Sequence, residues 1–320
     1  MTTGLWVVAA LVAEGTVTVT DDGTVTAVVP TRPSCPPGEA LIDARLGDGL
    51  ADWAAMASIL ADRPYEPSAE FYQSFDTFDT LKRRLALLDR HNDLHGRSLL
   101  QLGDDEMFSV ALAMSPGVGH VHVADADPRV LKAIDEEASA RGLPVTVYQV
   151  DVLRDRLPVT AVDTFFVSGL KDAGGLLLFI TSALAATSET GATGYISYDT
   201  DVYRAGATDA EVHREVWQAL DRLGCTVTAL LPCDELMLAT DFRADLAAIT
   251  REAAGRGLSP AELSESLRHL ADSPRADLFT AKPGFPDIAL RPATLARVET
   301  GPQSARLARR QLRFLQSAVR

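Results

Sequence analysis

Ser98-Leu99-Leu100-Gln101-Leu102-Gly103-Asp104-Asp105-Glu106 is a short apolar run that stops on a glycine and three acids. An apolar run of this length, bounded by turn residues, predicts a strand buried on both faces. Downstream, His120-Val121-His122-Val123-Ala124 forms a second such run, followed by Asp125-Ala126-Asp127-Pro128. Asp127 and Pro128 predict a helix start, with Asp as N-cap and Pro in the first turn. Val130, Leu131 and Ile134 give that helix an apolar face, and Gly142 ends it.

The alternation continues. Val145–Val150, Val162–Val167 and Gly194–Tyr198 read as strands, and Leu176–Ala186 and Ala210–Leu223 as helices. Strands alternating with helices predict a doubly wound, mostly parallel α/β sheet of the Rossmann type. Two further strands, Thr226–Leu231 and Glu235–Ala239, are separated only by Pro232-Cys233-Asp234, so an antiparallel hairpin is expected. Parallel strands closed by such a hairpin follow the order of the class I methyltransferase fold.

Upstream, Thr16–Thr20 and Thr24–Val29 flank Asp21-Asp22-Gly23, a hairpin signature. With an apolar helix expected from residue 5 to 14, this predicts a winged-helix-like module over residues 1–65. The sheet domain is expected over residues 66–242, and a mostly helical extension without assigned chemistry over residues 243–320.

Composition sets further bounds. The chain has 320 residues, 47% of them hydrophobic, and a net charge of −14. That charge disfavours nucleic acid, whose phosphates require concentrated Lys and Arg. Near the N-terminal hairpin only Arg32 is basic, so the module reads as a structural or dimerising cap in a homodimer. Arg306, Arg309, Arg310, Arg313 and Arg320 read as a solvated helix face. No apolar run reaches the roughly 20 residues that span a bilayer. Leu5–Val12 lacks the basic start of a signal peptide, so a cytoplasmic location is expected. Cys35, Cys225 and Cys233, and the pairs His91/His95 and His120/His122, match no disulfide or metal spacing.

In doubly wound sheets, ligands lie beyond the carboxyl ends of the strands. Gly103 permits a tight turn there, Asp125 is placed to accept ribose hydroxyls, and Asp151 to accept an adenine amine. A dinucleotide pyrophosphate would be repelled by Asp104, Asp105 and Glu106. A sulfonium and an amine would be attracted. The expected co-substrate is therefore S-adenosylmethionine or its decarboxylated form, with no metal.

Several stretches carry a family resemblance. They are Tyr72-Gln73, Thr77, Thr80, Arg83-Arg84, Leu102-Gly103-Asp104-Asp105-Glu106 and Ala124–Leu131. In them the chain resembles the branched-chain polyamine synthases, the bis(aminopropyl)spermidine synthase family. The resemblance implies aminopropyl transfer, Asp104, Asp105, Asp125 and Asp151 around the donor, and Gln73 near the acceptor. This chain departs from it where the family's Asp-Pro-Pro-Tyr falls on Ser168-Gly169-Leu170-Lys171. The loss of a carboxylate and the gain of Lys171 suit a donor that keeps its own carboxylate. The leading expectation is therefore transfer of a 3-amino-3-carboxypropyl group to a small-molecule acceptor, with Ser168, Lys171 and Gln73 at the reacting centre. Aminopropyl transfer to a polyamine, methyl transfer and an inactive scaffold are the alternatives.

Overall fold

The computed structural model describes residues 17–19, 25–27, 43–65, 68, 71, 73, 75–76, 78–170, 172–200, 208–240 and 288–319. The chain divides into two compact units, Met1–Glu39 and Ala40–Arg320. In the first, β1 (Val17–Val19) pairs antiparallel with β2 (Val25–Ala27), with Val17 opposite Ala27. The helix expected over residues 5–14 lies outside the described residues.

Among the described residues, the second unit is built on eight strands. In chain order they are β3 (Phe75–Asp76), β4 (Ser98–Leu102), β5 (His120–Asp125), β6 (Val145–Gln149), β7 (Thr164–Val167), β8 (Thr193–Tyr198), β9 (Cys225–Thr240) and β10 (Ile288–Thr300). Their order across the sheet is β3-β9-β10-β8-β7-β4-β5-β6. Strands β4 to β8 pair in parallel, while β10 runs antiparallel to both β8 and β9. The fold is a Rossmann-like, class I methyltransferase-like α/β sheet.

Alternation along the strands sorts side chains between two cores. Phe166 and Tyr195 face the side covered by α1 (Trp53–Ala61), α2 (Phe78–Arg90), α3 (Phe108–Met114) and α4 (Pro128–Arg141). Phe165 and Val167 face α5 (Ala173–Ala185), α6 (Asp209–Arg222) and α7 (Ser304–Val319). Helix ends follow the sequence cues. The Asp127 side chain accepts from Arg129 N, Pro128 follows, and Gly142 closes α4 at φ 64°. Thr208 and Glu211 form a reciprocal cap on α6.

Three expectations change. Thr226–Leu231 and Glu235–Ala239 are one continuous strand rather than a hairpin. Pro232-Cys233-Asp234 is absorbed as a bulge, because Leu231 pairs with Leu295 and Glu235 with Ala293. A bulge tolerates a proline that a regular ladder would not. The antiparallel partner is β10, from the stretch read as a helical extension. It fills the slot between β8 and β9, and α7 packs on α5. Residues 44–61, expected in the N-terminal module, belong to the second unit, where Trp53, Met56 and Ile59 enter its core.

A buried ion pair ties β10 to the start of the sheet. Arg297 Nε donates to Asp93 Oδ2 at 2.9 Å, and Tyr195 Oη donates to the same oxygen at 2.5 Å. Replacing Arg297 by Met strands the Asp93 carboxylate, and removing one partner of such a pair costs about 3–5 kcal/mol. The urea midpoint of Arg297→Met is therefore expected to fall steeply with an unchanged slope. An unshifted midpoint would mean that β10 is held by its backbone ladder alone.

Candidate active site

At the end of β4 the chain turns through Gly103 at φ 77°. A Cβ at Gly103 would stand 2.0 Å from the carbonyl oxygen of Ser168, so no other residue fits without separating β4 from β7. This close approach brings the β4 turn against the loop that leaves β7.

The three acids that follow point in different directions. Asp104 is fully buried and accepts from Ser109 N at 3.1 Å, inside the first turn of α3. Glu106 turns into the core, where Arg84 Nη1 donates to its Oε1 at 2.5 Å. Arg84 Nη2 also lies 2.6 Å from Asp76 Oδ2, and its guanidinium sits 4.8 Å from the Phe166 ring centroid. Asp105 is the acid nearest solvent, at 9% exposure. Met107 then adopts a left-handed φ of 57°, a cost borne by a non-glycine residue to start α3 at this point.

Charge is unevenly shared here. Burial, followed by repulsion from Glu106, raises the Asp104 and Asp105 carboxyls well above the usual carboxylate range. Burial also pushes Glu106 up, but the hydrogen bond from Asp105 and the Arg84 guanidinium outweigh it and hold Glu106 low.

Asp125, at the end of β5, is partly exposed and fixes the neighbouring turns. Its Oδ2 accepts from Asp104 N at 2.9 Å and its Oδ1 from Asp127 N at 2.8 Å. Burial raises this carboxyl too. Asp127 is the α4 cap, as expected, and also accepts from Gln73 Nε2 at 2.9 Å. Gln73 in turn accepts from Ser68 N at 2.9 Å. With Tyr65 Oη donating to Asp105 O at 2.9 Å, the chain between Tyr65 and Gln73 is tied at one end to the β4 turn and at the other to the start of α4. Asp151 sits beyond β6, where its carboxylate accepts from Leu153 N and pairs with Arg154 at 3.5 Å.

Ser168 Oγ donates to Glu106 Oε1 at 3.4 Å, so it joins the buried network rather than standing apart. Lys171 lies outside the described residues. Two members of this network, Asp76 and Arg84, had no functional reading from the residues themselves. A buried arginine among acids leaves a trace in sequence only as an ordinary helix arginine. Among the described residues no grouping of His, Cys, Asp and Glu has metal-binding geometry.

Residues 53–231 match the model of the branched-chain polyamine synthase A C-terminal domain. The chain belongs to this family. Over 211 residues it is 32% identical to the N(4)-bis(aminopropyl)spermidine synthase of Thermus thermophilus, covering 62% of this chain and 59% of that protein. It is 30% identical over 169 residues to the synthase of the same name from Thermococcus kodakarensis, covering 52% of this chain and 45% of that one. The chain thus spans about three fifths or less of the length of these relatives.

Among solved structures, it is similar to the Thermus thermophilus branched-chain polyamine synthase in complex with N4-aminopropylspermidine and 5'-methylthioadenosine. The TM-score is 0.58 at 21% identity, over 92% of this chain and 77% of that one. A second fold neighbour is the putative RNA methyltransferase PH1948 from Pyrococcus horikoshii. It has a TM-score of 0.52 at 13% identity, over 79% of this chain and 99% of that chain. The family and the fold agree with the resemblance carried by Gly103–Glu106 and Ala124–Leu131.

Proposed function

We propose that this chain transfers an aminopropyl group from decarboxylated S-adenosylmethionine to an amine of a polyamine, releasing methylthioadenosine. The observation that carries this reading is the gathering of acidic side chains at the β4 turn. Five carboxyl groups, of Asp76, Asp104, Asp105, Glu106 and Asp125, gather at or below it, and the Arg84 guanidinium is buried between Asp76 and Glu106. Such a turn attracts a sulfonium and an ammonium and repels a donor carboxylate. Family membership and the named activity of the relatives support the same reading. It replaces 3-amino-3-carboxypropyl transfer as the leading assignment, because the relatives are named N(4)-bis(aminopropyl)spermidine synthases.

In this reading Gly103 lets the backbone approach the donor, Asp125 accepts the ribose hydroxyls and Asp151 accepts the adenine amine. Asp105 faces the incoming ammonium. The neutral amine attacks the terminal propyl carbon on the side opposite sulfur. The carbon–sulfur bond breaks, and its electron pair stays on the sulfur of methylthioadenosine. The amine proton passes to Asp105 or to solvent. Because the sulfonium is already a good leaving group, in-line alignment is the main task of the protein. Gln73 acts at a distance, by fixing the segment from Tyr65 against Asp127.

One observation favours a second reading. Ser168 stands where the family has a carboxylate, and its hydroxyl is committed to Glu106, which removes one counter-charge for an acceptor amine. The donor test separates the two. With spermidine as acceptor, the decarboxylated donor is expected to react at least tenfold faster than S-adenosylmethionine, a modest demand when two charges 4 Å apart interact by about 4 kcal/mol at an effective dielectric of 20. Chromatography should show methylthioadenosine as the nucleoside product. Preference for the intact donor would restore 3-amino-3-carboxypropyl transfer. S-adenosylhomocysteine would mean methyl transfer, and no turnover with either donor would leave the scaffold alternative.

A further inference from the structure

Asp125 joins two turns of the candidate site. Its Oδ2 accepts from Asp104 N in the turn after β4, and its Oδ1 from Asp127 N at the start of α4. The same two turns are joined a second time by the segment from Tyr65 to Gln73. Tyr65 Oη donates to Asp105 O at 2.9 Å, and Gln73 Nε2 donates to Asp127 Oδ2 at 2.9 Å. We propose that Tyr65 and Gln73 are positioning residues for the nucleoside. Together they clamp the β4 turn to the start of α4, at the separation that lets the single Asp125 carboxylate reach both amides. This deepens the function proposed above and rests on it for the identity of the nucleoside.

Both ends of the clamp are themselves held. Tyr65 is buried, and its ring meets Phe75, the first residue of β3, edge-on at 6.1 Å between centroids. That packing aims the hydroxyl at the Asp105 carbonyl. At the other end the Asp127 carboxylate is fully buried, accepting from Arg129 N at 2.9 Å and from Arg129 Nη2 at 2.7 Å. It is therefore a fixed acceptor for Gln73. Between the ends, Gln73 Oε1 accepts from Ser68 N at 2.9 Å and Gln73 N donates to Ser68 O at 3.1 Å, which ties the amide to its own segment. A segment attached at one end sets no distance between the two turns, so the clamp works as one unit. Turns already held in their bound geometry spare the ligand the cost of ordering them. The resemblance implies Gln73 near the acceptor; the clamp has it serve the donor, through Asp127.

Calorimetric titration of the whole chain with methylthioadenosine tests the clamp. Tyr65→Phe removes only the hydroxyl. Gln73→Glu keeps the acceptor for Ser68 N but sets a carboxylate against Asp127. Each is expected to weaken binding about tenfold, the worth of one hydrogen bond. The double variant should also bind about tenfold more weakly, since losing either end opens the same clamp. Losses that multiply to about a hundredfold in the double variant, or unchanged affinity in either single one, overturn the proposal. Hydrogen exchange without ligand separates positioning from contact. The Asp104 and Asp127 amides should exchange faster in both variants, while those of β4 and β5 keep wild-type protection. Unchanged exchange at the two amides would mean that the residues touch the nucleoside themselves, and lost protection in β4 and β5 that they serve the fold alone. Either result overturns the positioning role. If the wild type does not bind methylthioadenosine, the donor reading fails and the proposal falls with it.

Discussion

Arg84→Met is expected to cost about 3–5 kcal/mol of folding stability, because it removes the guanidinium that contacts the buried carboxylates of Asp76 and Glu106. Native domains hold only about 5–15 kcal/mol in total, so the variant should stand near the edge of folding at neutral pH. Its pH dependence identifies the cause. Without the guanidinium, the folded-state pKa values of Asp76 and Glu106 rise above their unfolded values, and the folded protein then binds more protons than the unfolded one. Stability should therefore return as pH falls through those raised values and be lost again as pH rises. Adding Glu106→Gln to Arg84→Met should recover part of the loss at pH 7. Urea denaturation at pH 5 and pH 7.5 measures both effects. A loss below about 1 kcal/mol, or equal losses at both pH values, would mean that packing of the arginine stem and not its charge matters here.

Gly103→Ala is the second large effect, and it acts through the backbone. The added methyl would meet the Ser168 carbonyl oxygen at 2.0 Å, and φ 77° is strained for any residue with a Cβ. Relief requires β4 and β7 to part at their carboxyl ends, where Ser168 N donates to Leu102 O at 3.0 Å. Strain and overpacking each cost about 1–3 kcal/mol. Both strand ends border the proposed donor site, so binding should suffer as much as stability. The expected result is a melting temperature lowered by several degrees and at least a tenfold weaker affinity for methylthioadenosine by calorimetry. A variant that melts and binds like the wild type would show that the loop after β7 yields freely, and would remove Gly103 from the donor pocket.

Local signals determined much of this protein. Ser98–Leu102, His120–Ala124, Asp127-Pro128 and Gly142 each carry a short-range rule, and each element formed where its rule placed it. The acidic turn was equally plain, since Gly103 and three carboxyl residues lie in one run. These features were legible because apolar runs, caps and turns are decided by neighbours within a few positions.

What tertiary structure decided came from residues far apart in the chain. Pro232-Cys233-Asp234 carries every local mark of a turn, yet it is a bulge, because β10 supplies a ladder partner more than fifty residues later. Pairing at that range leaves no periodic trace between the two strands. The same arm sets Asp76, through the pairing of β3 with Leu238 and Met237. Asp76 and Arg84 then hold Glu106 in the core. Three consecutive acids look alike in sequence. Their roles diverge because one accepts from an amide in the first turn of α3, one meets a buried guanidinium, and one keeps the most solvent exposure of the three.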